Sequence, residues 1–101
     1  MTHKADLSAK QSQIEDICRR YEVRELMLFG SALREDFRSD SDLDFLVEFQ
    51  PEAKVGLFRF DALREELEHL FGRPVDLVPK RGLKPLIRED VLRQAELVYA
   101  G

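Results

Sequence analysis

Asp42 and Asp44 stand two residues apart and open an apolar run, Leu43-Asp44-Phe45-Leu46-Val47. Leu43, Phe45, Val47 and Phe49 alternate with Asp42, Asp44, Leu46 and Glu48. That period of two predicts a strand with one apolar face, on which Asp42 and Asp44 point the same way. Two carboxylates held side by side repel unless a cation sits between them, and hard divalent cations take carboxylate oxygens. Upstream, separated from Asp42 by ten residues, lies Leu28-Phe29-Gly30-Ser31. Gly30 lets the backbone turn sharply and approach a ligand closely. Ser31 caps the helical turn predicted over residues 31–36, and the N–H groups at such a helix start suit phosphate. A phosphate site beside a carboxylate pair is equipment for metal-assisted phosphoryl or nucleotidyl transfer.

The elements that must hold these groups alternate along the chain. Ser8-Ala9-Lys10-Gln11 matches a capping box, and Ile14, Ile17, Cys18 and Tyr21 then share one helical face. Cys18 lies on that stripe and reads as a core thiol. Residues 25–29 predict the first strand and residues 37–41 a polar loop, in which Asp40 serves the turn. Phe60, Leu63, Leu67, Leu70 and Phe71 form a second helical stripe, stopped by Gly72 and Pro74. Phe58, Phe60 and Phe71 read as core, His3 and His69 as surface. A short third strand, residues 75–78, carries Asp76. Lys80, Arg81 and Lys84 follow, either as a solvated loop or as cations that reach a triphosphate or an acidic partner. Pro85 starts a third helix with Ile87, Val91 and Ala95 inward, and residues 96–99 predict a last strand. The alternation predicts an α/β (α+β) fold, a small mixed sheet with helices packed on one face.

Composition narrows the function further. The 101 residues suit one domain spanning 1–101, with an apolar fraction of 44% sufficient for a core. A formal net charge of −4 argues against direct stable binding to nucleic acid, which favours basic chains. No apolar run approaches the roughly 20 residues of a membrane span, and the N-terminus lacks the apolar stretch of a signal peptide. One cysteine excludes an internal disulfide, so a cytoplasmic setting is expected.

Leu28 to Ser31, Arg34 and Ser41 to Asp44 resemble the signature of the minimal nucleotidyltransferases, small members of the DNA polymerase β-like superfamily. Asp76, in Arg73-Pro74-Val75-Asp76-Leu77-Val78, matches that family's third carboxylate. Ala32 and Glu35 depart from it, where Arg and Gly are common. The resemblance implies the nucleotidyltransferase fold and a Mg²⁺-dependent adenylyltransferase that uses ATP. Asp42, Asp44 and Asp76 would be its catalytic and metal-holding residues, with two Mg²⁺ ions. Gly30 and Ser31 would seat the β- and γ-phosphates, and Arg34 would neutralise phosphate charge. A chain this short is expected to find its acceptor on a partner. The resemblance implies a HEPN-type ribonuclease toxin in a hetero-oligomer, with AMP transferred to a toxin tyrosine. The alternatives are an antitoxin that acts by binding alone, and a small-molecule (aminoglycoside-like) nucleotidyltransferase that needs a partner subunit.

Overall fold

In the first helix, α1 (Gln11–Arg20), apolar residues recur every three or four positions, so Ile14, Ile17 and Cys18 are buried together. The computed structural model describes residues 10–30 and 42–101. Its other elements are β1 (Val23–Phe29), β2 (Leu43–Phe49), α2 (Leu57–Phe71), β3 (Val75–Pro79), α3 (Pro85–Gln94) and β4 (Glu96–Ala100), with a 3₁₀ turn at Lys80–Gly82. The capping box expected at the start of α1 includes Ser8, which lies outside the described residues. The Gln11 amide donates to the Val98 carbonyl at 2.9 Å and ties α1 to β4.

The four strands form one mixed sheet in the order β3-β2-β1-β4. β1 is antiparallel to both of its neighbours, whereas β2 and β3 run parallel. β1 begins two residues before the strand expected from Glu25, and a register shift between Val23 and Glu25 explains the difference. The irregularity breaks the alternation there, yet it puts Val23 on the buried side with Leu26 and Leu28.

One sheet face supplies Leu26, Leu28, Leu43, Phe45, Val47, Val75 and Leu77 to the core, covered by α1 and by Leu63 and Leu67 of α2. Phe71 stacks on Phe45 with ring centroids 5.7 Å apart, and Phe60 meets Phe49 at 6.2 Å. Phe58 is not core: it is 95% exposed. Two positions rotate a side chain about 200° around a helix, so burying Phe60 turns Phe58 to solvent. α2 ends at Gly72, which adopts φ +68 as a left-handed cap. Pro85 opens α3 as expected, but α3 buries no residue. Val91 and Ala95 are half-buried, whereas Ile87 is 49% exposed. Cys18 is fully buried, and burial pushes its thiol up to about 12. His69 is exposed. Among the described residues, no helix is long and apolar enough to cross a membrane.

Two glutamates of α2 tie the layers together. Glu66 accepts two hydrogen bonds from Arg20, at 3.0 and 2.7 Å, and one from the Tyr21 hydroxyl at 2.6 Å. Glu68 accepts the Val75 backbone N–H at 2.9 Å and pairs with Arg64 at 2.8 Å. The bonds from Arg20 and Tyr21 hold the Glu66 carboxyl below its ordinary value, and the Val75 N–H, then Arg64, does the same for Glu68. A carboxyl depressed in the folded state stabilises it above the unfolded value, about 4.3, and loses that contribution as pH falls through the folded value. Glu66→Gln and Glu68→Gln should therefore lower the urea midpoint at neutral pH, with the deficit shrinking in acid below about pH 4. Urea titrations across that range check this, and a deficit independent of pH would refute it.

Candidate active site

The site is built at the end of β1 and the beginnings of β2 and β3. Alternation along β2 sends Leu43, Phe45 and Val47 into the core, which commits Asp44 to the opposite face. The parallel register then aligns Asp44 with Asp76 of β3, while Phe29 of β1 lies opposite Asp44 on the other side. Adjacent strands are about 4.8 Å apart, so Asp44 and Asp76 form neighbouring members of one row. Asp42 sits one residue before β2 and is exposed, as is Asp76, whereas Asp44 is half-buried. All three can be reached from solvent.

Gly30 follows β1 directly with φ +76, a backbone conformation that glycine tolerates and side chains resist. A methyl group placed there would lie 3.1 Å from Asp44 Cγ and 3.3 Å from its Cβ, and would collide with Oδ2. The turn after β1 thus runs tightly against the Asp44 carboxylate. The glycine expected at this place for close approach has that approach toward Asp44. Ser31 and Arg34 lie outside the described residues.

Two more rows complete this face. Met27, Leu46 and Val78 follow the carboxylates, and Leu46 is only 1% exposed. Glu25 and Glu48 come next, like charges directly opposite on antiparallel strands. Lys80 offsets them, with Nζ 3.0 Å from Glu25 and 3.9 Å from Glu48. Lys80 is therefore neither a solvated loop cation nor poised over the carboxylate row. Four residues of strand, about 13 Å, separate it from Asp44. The sequence held a trace of this pairing, since Glu48 alternates in phase with Asp44, but the strand order that brings Lys80 across was not legible. The Glu68 contact to the residue preceding Asp76 was likewise missed.

Among the described residues, no three carboxylate, imidazole or thiol side chains are gathered closely enough to hold a metal by themselves. Mg²⁺ does not require such a cage. It is held through one or two carboxylates together with substrate phosphates and retained waters. A carboxylate row of hard oxygen donors, with Gly30 packed against it, fits that cation.

The model of the nucleotidyltransferase domain matches residues 11–98. The chain belongs to that family. Protein adenylyltransferase MntA of Thermococcus cleftensis is 45% identical over 93 residues, covering 92% of this chain and 87% of the relative. A solved structure described as a proposed minimal nucleotidyltransferase is 40% identical, with a TM-score of 0.73 over 88% of this chain and 89% of its own. A complex of tri-AMPylated Shewanella oneidensis HEPN toxin with MNT antitoxin shares the fold, with a TM-score of 0.63 at 19% identity over 95% of this chain and 74% of that one. As a nucleotidyltransferase the chain is an enzyme, of the minimal kind that its Gly-Ser and Asp-x-Asp segments resemble.

Gly30→Ala tests the turn. A side chain in the left-handed region costs about 1–2 kcal/mol, and relief of the collision must displace Asp44. For a domain of this size each kcal/mol lowers Tm by about 4–8 °C. The expected result is a melting temperature at least about 4 °C lower, together with weaker binding of Mg·ATP. A variant that melts and binds like the parent would show that the turn does not constrain Asp44.

Proposed function

We propose that the protein is a Mg²⁺-dependent adenylyltransferase antitoxin that transfers AMP from ATP to a tyrosine of a HEPN-type ribonuclease toxin in the cytoplasm. The observation that carries this reading is the register of Asp44 with Asp76, beside Gly30, in a nucleotidyltransferase chain. The protein-adenylyltransferase name of the 45% identical relative supports AMP as the transferred group. The AMPylated HEPN toxin in the fold-sharing complex supports the kind of acceptor.

In this reading the whole chain acts as one catalytic domain. Asp42, Asp44 and Asp76 would hold two Mg²⁺ ions, while the Gly30-Ser31 turn would seat the β- and γ-phosphates and Arg34 would offset their charge. When bound, the ions supply charge stabilisation at the phosphates and at the attacking and leaving oxygens. Asp76 accepts the proton of the tyrosine hydroxyl. The phenolic oxygen bonds to the α-phosphorus, the bond from that phosphorus to the bridging oxygen breaks, and pyrophosphate leaves. The exposed position of Asp76 on the strand next to Asp44 lets an acceptor reach it from outside.

Asp76→Asn separates chemistry from folding. Asp76 is exposed, and its neighbours Val75 and Leu77 are buried and fix the strand. Removing the charge that stands in register with Asp44 should leave the metal-free melting temperature unchanged or slightly higher. Loss of a general base alone is worth about 10²–10⁴-fold, so AMP transfer should slow at least about a hundredfold. Mg·ATP at about 100 times its Kd should stabilise the parent by about 2.7 kcal/mol. Intact mass of the partner after incubation with ATP reads the transfer directly. A stable complex in which the parent adds no AMP would identify a binding antitoxin. Parental transfer rates in Asp76→Asn would remove that residue from the site.

A further inference from the structure

At the end of β2 remote from Asp44 the molecule carries a groove of ≈ 510 Å³. Val47, Phe49, Val55, Leu57 and Phe60 form its apolar lining, and Arg81 stands at its rim. Two large apolar side chains in the first turn of α2 have no place in the core: Leu57 is 88% exposed and Phe58 95%. Two adjacent residues of this kind beside an apolar groove make a continuous patch, which marks an interaction surface more often than a solvated one.

The charges around the groove differ from those of the whole chain. The protein has a net charge of −4. Arg81, which lines the groove, and Lys54, next to the lining residue Val55, are exposed and have no acidic partner among the described residues. Glu48 is already met by Lys80, which leaves Glu52 as the exposed carboxylate of the adjoining loop. The patch is therefore apolar at its centre and cationic at its border, on an otherwise acidic molecule. A surface complementary to it has apolar or aromatic anchors flanked by carboxylates.

We infer that this groove is where the acceptor protein docks, through an acidic segment whose apolar side chains enter beside Leu57 and Phe58. The inference rests on the proposed function for the identity of that acceptor. Val47 to Phe49 line the groove three to five residues along β2 from Asp44. Val47 and Phe49 belong to the helix-covered side of the sheet, so at about 3.3 Å per residue the groove lies about 10–16 Å along β2 from the carboxylate row and on the other face. A partner anchored there reaches the carboxylate row by passing around the β3 margin, where Pro79 and Arg81 also line the groove. The acceptor tyrosine must stand a similar distance from the anchoring segment.

The test uses the complex with a HEPN-type protein, the acceptor of the proposed function. Leu57→Ser, Phe58→Ser and Arg81→Glu change exposed side chains outside the carboxylate row, and Leu86→Ser, at a position 93% exposed on α3, is the control. Calorimetry should show the three groove variants binding the HEPN-type protein at least about tenfold more weakly, the effect expected of a buried interface anchor or its charge partner. AMP transfer at limiting partner should slow in parallel, whereas stabilisation by Mg·ATP without partner should match the parent. Leu86→Ser should behave as the parent in every assay. Parental affinity in all three variants, or a greater loss in Leu86→Ser, would overturn the docking surface and leave the enzymatic reading intact. Failure of the parent itself to bind or modify the HEPN-type protein would overturn both.

Discussion

The phase of β2 is the constraint on which the rest of the molecule depends. Its core-facing residues, Leu43, Phe45 and Val47, are each no more than 1% exposed. β2 is hydrogen-bonded on both sides, antiparallel to β1 and parallel to β3. A slip of one residue would bring Asp44 into the core and turn Phe45 outward, exchanging every favourable burial for an unfavourable one. Core packing and site geometry are therefore a single specification. What keeps Phe45 against Phe71 also keeps Asp44 level with Asp76.

The helices reinforce that specification through charge. Glu66 joins the end of α1 to α2, and Glu68 joins α2 to the first residue of β3. Arg59 lies over the Tyr21 ring, 5.2 Å from its centroid, and donates to the Arg20 carbonyl at 2.6 Å. Exposed ion pairs contribute little individually. These contacts link elements that the chain keeps far apart in sequence, so they help to orient helices already held by Leu63, Leu67 and Ile14.

Much of this could be read from the residues because it is local. Alternation located β2, the Phe60–Phe71 stripe with Gly72 located α2, and Pro85 marked the start of α3. The carboxylates were legible because two residues on one strand share a face whatever lies around them. Other features escaped because they depend on neighbours distant in sequence. The shift near Val23 breaks the alternation that would have extended β1. Phe58 was assigned to the core by residue type, although its helical angle opposes that of Phe60. Lys80 meets Glu25 only because β2 lies between β1 and β3. For Ser31 and Arg34 the sequence remains the source of their assigned roles.

The position of β3 at the margin of the sheet has a further consequence. An outer strand offers unpaired amide hydrogens along which a second polypeptide can align. The bond from Leu43 N–H to the Pro74 carbonyl fixes which groups of β3 turn inward. By alternation, Val75, Leu77 and Pro79 turn their backbones outward. Glu68 occupies the Val75 amide, and Pro79 has none to offer. Among the described residues of this margin, Leu77 alone retains an outward donor, too little to template an added strand. This margin of the molecule is thereby protected against edge-to-edge association and fibre growth, while its carboxylate face stays open to solvent.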